Sequence, residues 1–556
     1  MRCVAVPYLL ASSLLALGCP ADDGSTSDGD GGTVADGGGT EGTAGSATST
    51  SAGSATDGVA DSTGTAPSDM IPARGIRINS VEANQGVGVL IGDDGAWVGP
   101  GDRAARLLQG RVTLVRGFWE LDADFQPREI EAHLILEWPD GTVERRIDTK
   151  MVDGETFIGD PDRVFWWGIE AELTVPGIMY SIELFETDPA FADGAPDSPP
   201  FFPDVEGTAQ LIGIEDSYQL IKVVVVPFAY NDGAGCDSVP DTSPETMQLF
   251  HDLMLMQNPV DQVQLEVHDP VPWTGNASYT ALNVYMSGLR FDEGALPETY
   301  YYGLIDYCMY PDNNVVGQAL NIPSDPTSMA AAADRVSSGY SHVPELTAET
   351  FVHEVGHTAG RRHVTCNGME GGPDPSYPFP GGDVGEWGFG VIDFSWRHPT
   401  VHKDYMTYCT PTWVGTWGWN KIQPVIETLS TWDADYPGNG NVGPEDPYGG
   451  SLLMGALLDD GSERWITVPG ALTGNEVASD TKIVFERADG TTIHQPAVAQ
   501  ITPDGDDVVY VAPLPDDFES VTSLRRVSGG RNHAITRASV DEHHRNRIVD
   551  RTKTGR

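Results

Sequence analysis

The sequence predicts an α/β (α+β) domain at residues 217–432, flanked by two β-sandwich-like domains at 71–216 and 433–541. Three observations carry this reading. A chain of 556 residues is longer than one hydrophobic core serves, so several domains are expected. Short β-branched and aromatic runs, divided by Asp-Gly turns, fill both flanks. Only the middle interleaves such runs with helix signals, a capped start at Ser243 and a helical stretch through His353.

Residues 1–19 read as an export signal. Arg2 supplies the positive start, and Val4 to Leu17 is an apolar run too short to span a bilayer. The end, Leu15-Ala16-Leu17-Gly18-Cys19, resembles a bacterial lipobox, with Cys19 as the lipidated residue. Ala16 departs from the leucine more often found there, and simple cleavage near Gly18 is the alternative. Residues 20–70 are mostly Gly, Ser, Thr, Ala and Asp, with no Lys or Arg between Cys19 and Arg74. Such a stretch cannot bury enough apolar surface to offset its ordering entropy, so a flexible tether is expected. Together these features place the folded part outside the cytoplasm, as a cell-envelope or surface lipoprotein or as a released extracellular protein.

The first flank shows strands at Val112–Trp119, His133–Trp138 and Met179–Phe185, with Pro139-Asp140-Gly141-Thr142 as a hairpin turn. Trp166-Trp167 suits a carbohydrate-binding face, but aromatic pairs in β domains more often serve a core or an interface. In the middle domain Leu220–Val226 reads as a buried strand. Ser243-Pro244-Glu245 opens a helix whose Met247, Phe250, Leu253, Met254 and Met256 form a core-facing stripe. Further strands are expected at Val260–His268, Tyr300–Ile305 and Val315–Ile322, irregular loop at Pro373–Gly382, and a last helix from Asn420 to Leu429. In the second flank Asp460-Gly461, Asp489-Gly490 and Asp504-Gly505 divide apolar runs. The polar tail at 542–556 holds His543-His544, read as solvated side chains.

The chemistry concentrates in residues 353–363, which read H-E-x-x-H-x-x-G-x-x-H. His353 and His357 stand four apart, on one helix face, so both imidazoles can grip one ion. Glu354 can reach a water on that ion without binding it. Gly360 tolerates the left-handed backbone of a helix end and lets the chain return His363 as a third ligand. Three protein ligands leave a fourth position open, the pattern of a catalytic zinc site. One catalytic Zn2+ is therefore expected. The net charge of −50 excludes the basic footprint of a nucleic-acid binder and suits an acidic, exported surface. Its carboxylates leave room for Ca2+, although no full D-x-[DN]-x-[DN]-G loop ending in glutamate is present.

With Met406 downstream, the motif resembles the metzincin clan of zinc endopeptidases over residues 218–429. The match uses His353, Glu354, His357, Gly360, His363 and Met406. Tyr408, two residues after the methionine, is similar to the astacin, serralysin and pappalysin pattern. Val364 departs from the signature residue those groups carry after the third histidine. The resemblance to secreted bacterial metzincins, including mucin-cleaving lipoproteins, extends to Tyr405-Met406-Thr407-Tyr408-Cys409. It implies a metzincin-like fold, Met406 as a hydrophobic floor below the imidazoles, and Tyr408 as an oxyanion donor. It also implies a protein or glycoprotein substrate, Glu354 as general base, and a membrane met only through the lipid anchor. The contrasting expectation is a catalytically silent adhesin or glycan-binding lipoprotein. Cys236, Cys308, Cys366 and Cys409 all fall in the middle domain, and an even number in an exported chain suggests two disulfides. Three pairings are open. Cys366 with Cys409 is favoured, since it would tie the loop after the third ligand to the methionine turn, leaving Cys236 with Cys308.

Overall fold

The computed structural model describes residues 70–205, 207–309, 315–368, 370–437, 448–472, 478–504 and 507–542. The export signal, Cys19, the tether up to Asp69 and the tail with His543-His544 lie outside the described residues. Strands dominate, with four α-helices among the described residues: α1 (Pro244–Gln257), α2 (Tyr279–Asp292), α3 (Pro344–Thr358) and α4 (Thr416–Ser430). No described helix is long and apolar enough to cross a membrane.

Residues 71–215 build two antiparallel sheets, one six-stranded and one five-stranded, joined by a short parallel pair. Alternation sets their faces: Leu134, Leu136, Ile182 and Leu184 of one sheet share a buried core with Ile78, Val81 and Val115 of the other. The Tyr180 hydroxyl crosses between them to donate to the Ile91 carbonyl at 3.0 Å. The turn at 139–142 forms as its residues dictate, with Gly141 at φ 86° and Trp138 N–H bonded to Thr142 O at 2.9 Å. Trp167 is buried in the core, whereas Trp166 is exposed beneath the Lys150 ammonium. Period two explains the split, since adjacent strand residues face opposite ways.

The middle segment is organised by the strand Leu220–Asn231, longer than the Leu220–Val226 run because Pro227 to Asn231 continue in extended form. It pairs in parallel with Gln262–Val267, Val271–Thr274 and Tyr300–Ile305; Val336–Tyr340 follows in parallel, and Gly317–Ala319 closes the edge antiparallel. Only three residues of the Val315–Ile322 run enter this ladder. Ser243 caps α1 by accepting from Thr246 N–H, and Phe250, Met254 and Met256 point inward. Phe250 stacks on Phe351 of α3 at 4.7 Å, which fixes α3 below the sheet. Helix α4 begins four residues before Asn420, because Trp419 turns inward and is fully buried.

The C-terminal strands enclose a core as a sandwich does, by folding one sheet over itself: Arg526 bonds Glu463, five strands away, at 2.7 Å. They form one eight-stranded sheet between Ser451 and Glu542. Both of its faces are buried. Leu453, Trp465, Phe485 and Leu524 make a core on one face. Leu452, Met454, Ile466, Val468, Val509 and Val511 on the other merge with Leu282 and Met286 of α2. The helical domain covers that second face.

The first sandwich is fused to the middle segment as closely. Arg111, 2 % exposed, aims its guanidinium at the C-terminal end of α1 and bonds Leu255 O at 2.9 Å and Asn258 O at 3.3 Å. Those carbonyls lack helical partners and sit at the negative end of the helix, so a buried cation there is doubly favoured. Burial pushes the Arg111 pKa down to about 9, with the Asp261 charge opposing the shift.

Candidate metal centre

Helix α3 positions the first three site residues. Val343 offers no side-chain cap; Pro344 opens the helix and Glu345 complements its first turn. The helix ends at Gly360, which takes φ 86°, and Arg361 N–H returns to Gly356 O at 2.9 Å. This turn swings His363 back toward His353 and His357. The three rings meet, with centroids 4.5 Å apart for His357 and His363, 4.7 Å for His353 and His357, and 5.4 Å for His353 and His363.

Each ring is oriented through its far nitrogen. Nδ1 of His353, His357 and His363 lies 2.7 Å from the carbonyls of Tyr405, Arg361 and Gly371 respectively. A carbonyl only accepts, so each Nδ1 carries a proton; the Nε2 of His353 and His357 is left to offer its lone pair inward, while that of His363 faces the Asp504 carboxylate. Burial lowers the pKa of His353 and lowers that of His357 strongly, which keeps both rings neutral as a metal requires. For His363 burial also works downward, but the hydrogen bond and charge of Asp504 outweigh it and raise the pKa.

Asp504 was not anticipated at the site. Its Oδ1 is 2.8 Å from His363 Nε2, its Oδ2 is 3.4 Å from His357 Nε2, and the Tyr408 hydroxyl donates to Oδ1 at 2.6 Å. The ligand atoms of His353, His357, His363 and Asp504 all lie within 4.8 Å of one another. The sequence shows Asp504-Gly505 only as a turn between strands. Nothing local marks an acid 141 residues from its partner as part of the centre.

These residues fit a metal ion. His353 Nε2, Glu354 Oε2 and Asp504 Oδ2 are buried without a hydrogen-bond partner, three polar atoms aimed into one small space. His357 Nε2 stands 3.1 Å from His363 Nε2. Ligands about 2 Å from one tetrahedral ion are separated by roughly 3.3 Å, close to the spacings seen here. Imidazoles with a carboxylate are a donor set for first-row divalent ions.

Glu354 is 3 % exposed, and the Ala319 amide hydrogen-bonds its carboxylate. Burial, with Asp504 nearby, pushes its pKa far above the carboxylate range. Met406 is fully buried behind the helix. A side chain at Gly356 would meet its Sδ at 2.7 Å, so Gly356 is what lets the methionine approach the histidine turn. Tyr408 flanks the rings, 5.0 Å from His363 and 6.0 Å from His353. The cleft holds about 1610 Å³ and is lined by Tyr279, Gln318, Glu354, Arg362, Tyr408 and Asp504, among others.

A second unanticipated feature holds the loops together. Arg361, 3 % exposed at its side chain, bonds both oxygens of Asp404 at 2.9 and 3.1 Å. Asp404 Oδ1 also accepts from Met406 N–H at 2.9 Å. The ligand loop is thus tied to the methionine turn by a buried ion pair. Two disulfides form, Cys366–Cys409 and Cys236–Cys308. Cys366–Cys409 closes 43 residues between the same two segments. Replacing both cysteines by serine should lower unfolding free energy by about 4 kcal/mol from loop entropy. Guanidinium titration of the two forms checks it; an unchanged midpoint would show that the ion pair alone sets the geometry.

Compared with known proteins, the chain matches no family model and no curated protein.

Proposed function

We propose that the chain is a zinc-dependent endopeptidase of metzincin type, acting outside the cytoplasm on protein or glycoprotein substrates. The observation that carries this reading is the convergence of three buried, carbonyl-oriented imidazoles beside the unpartnered Oε2 of Glu354. Bound there, zinc would supply a Lewis acid and make an attacking water acidic at neutral pH.

The chain's own residues divide the remaining work. His353, His357 and His363 would hold the ion, and the carbonyls of Tyr405, Arg361 and Gly371 keep the rings in one tautomer. Glu354 takes a proton from the attacking water on its unpartnered oxygen and returns it to the leaving amine. Burial raises its pKa, which favours holding the proton once it is taken. Tyr408 donates its hydroxyl to the developing oxyanion once that hydroxyl is free of Asp504. Met406 packs against the helix turn that carries the ligands. The export signal and Cys19 support a surface lipoprotein whose tether lets the folded part reach extracellular substrate.

A second reading, a catalytically silent surface adhesin, draws on one observation. Asp504 gives the centre four protein donors, as structural zinc sites have. The test is metal analysis with peptide-library digestion by the natural chain, Asp504→Ala and Glu354→Gln. One bound zinc with cleavage by either of the first two, lost in Glu354→Gln, supports the peptidase. One bound zinc with no cleavage by any form favours the silent protein.

A further inference from the structure

We infer that the hairpin joining strands Thr492–Ile501 and Val508–Pro513 is a built-in latch that supplies Asp504 as a fourth metal ligand and must withdraw before substrate can bind. The inference rests on the peptidase reading of the same site and names how that site is regulated.

The first argument is the donor set. Asp504 Oδ2 stands 3.4 Å from His357 Nε2, near the separation of atoms sharing one ion, while its Oδ1 bonds His363 Nε2 at 2.8 Å. A water cannot occupy the position that this carboxylate fills. The same Oδ1 also takes the Tyr408 hydroxyl, so the oxyanion donor is engaged as well. One side chain therefore neutralises two parts of the machinery.

The second argument is the seat. Asp504 is not a stray surface acid touching a pocket; its neighbours are fixed by buried polar contacts. Gln318 Nε2 donates to Thr502 Oγ1 at 2.6 Å, and both residues are buried. The Thr280 hydroxyl donates to Asp507 Oδ2 at 2.6 Å from the other side. Gln318 belongs to the edge strand Gly317–Ala319, beside Glu354. An extended peptide entering the cleft would be read along such an edge. Thr502 thus lies over the strand while Asp504 closes the metal position.

The third argument is what can move. The sheet behind the hairpin cannot leave, because Leu452, Met454, Ile466 and Val468 share a core with Leu282 and Met286 of α2. Thr502, Asp504 and Asp507 are held differently, through polar side-chain contacts. Each such bond is worth about 1 kcal/mol net, more where charged. A polar tip on an apolar base is a two-state element: the base stays and the tip exchanges with a competing ligand.

The test uses the full chain loaded with cobalt(II), whose visible spectrum reports coordination. Acetohydroxamate, a small bidentate metal ligand, is titrated into the natural chain, Asp504→Ala and the near-isosteric Asp504→Asn, and each form is also given the peptide library. Both variants should bind acetohydroxamate on the order of tenfold more tightly or better, since a competitor's apparent affinity falls with the fraction of sites closed to it. Asp504→Asn guards against a packing effect of the smaller alanine. Equal affinities in all three forms overturn the latch, whatever the peptide result. Tighter hydroxamate binding without cleavage by any form leaves the latch standing and removes the peptidase reading. Equal hydroxamate binding with equal cleavage removes the latch and leaves the peptidase. A chain that takes up no cobalt removes both.

Discussion

Glu354→Gln should lower peptide turnover by about a hundredfold to ten-thousandfold, the usual contribution of a positioned general base. Zinc content should stay at one equivalent per chain, because the three imidazoles and their carbonyl partners are untouched. Glutamine keeps the volume and can still accept from the Ala319 amide. It cannot take a proton. The measurement is turnover of a cleaved library peptide in the Asp504→Ala background, with KM followed separately. A fall in turnover at constant KM marks a group that acts in the transition state. A fall of less than tenfold would mean another base serves, and would sink the role given to Glu354.

The largest stability effect is expected at Arg361. Arg361→Met removes one partner of a buried pair and strands the Asp404 carboxylate, which is fully buried. Breaking such a pair costs about 3–5 kcal/mol, since the remaining charge is neither solvated nor compensated. The cost should appear as a lower urea midpoint and as weaker zinc retention against a chelator. The second effect follows because Arg361 also carries the carbonyl that orients His357. Arg361→Met with Asp404→Leu should recover much of the loss, as replacing both charges by apolar groups often does. If the single variant matches the natural chain, the Cys366–Cys409 bond alone holds the ligand loop to the methionine turn.

The three histidines and Glu354 were legible because their relation is local. A helix of fixed pitch converts spacing in sequence into spacing in space, and Gly360 announces the turn that brings His363 back. The hairpin at 139–142 and the cap at Ser243 were legible for the same reason. The Cys366–Cys409 pair could be favoured because it joined two segments already assigned to the site. What escaped notice depends on contacts distant in sequence. Arg361 precedes Arg362 in the chain, and burial against Asp404 is what separates it from its neighbour. Asp504 sits in a turn whose local pattern fits any hairpin; its role depends on how an eight-stranded sheet docks on α2. Alternation along these strands reports that their faces are covered, not that one continuous sheet folds over itself on one face and meets α2 on the other.

Joining Asp504 to the same chain as the histidines has a kinetic consequence. Its carboxylate is presented at an effective concentration fixed by the hairpin, on the order of millimolar or above as for short tethers. Dilution therefore cannot relieve it, unlike a separate inhibitor that dissociates as the solution thins. Opening is a first-order event in each molecule, so its rate should not change with protein concentration.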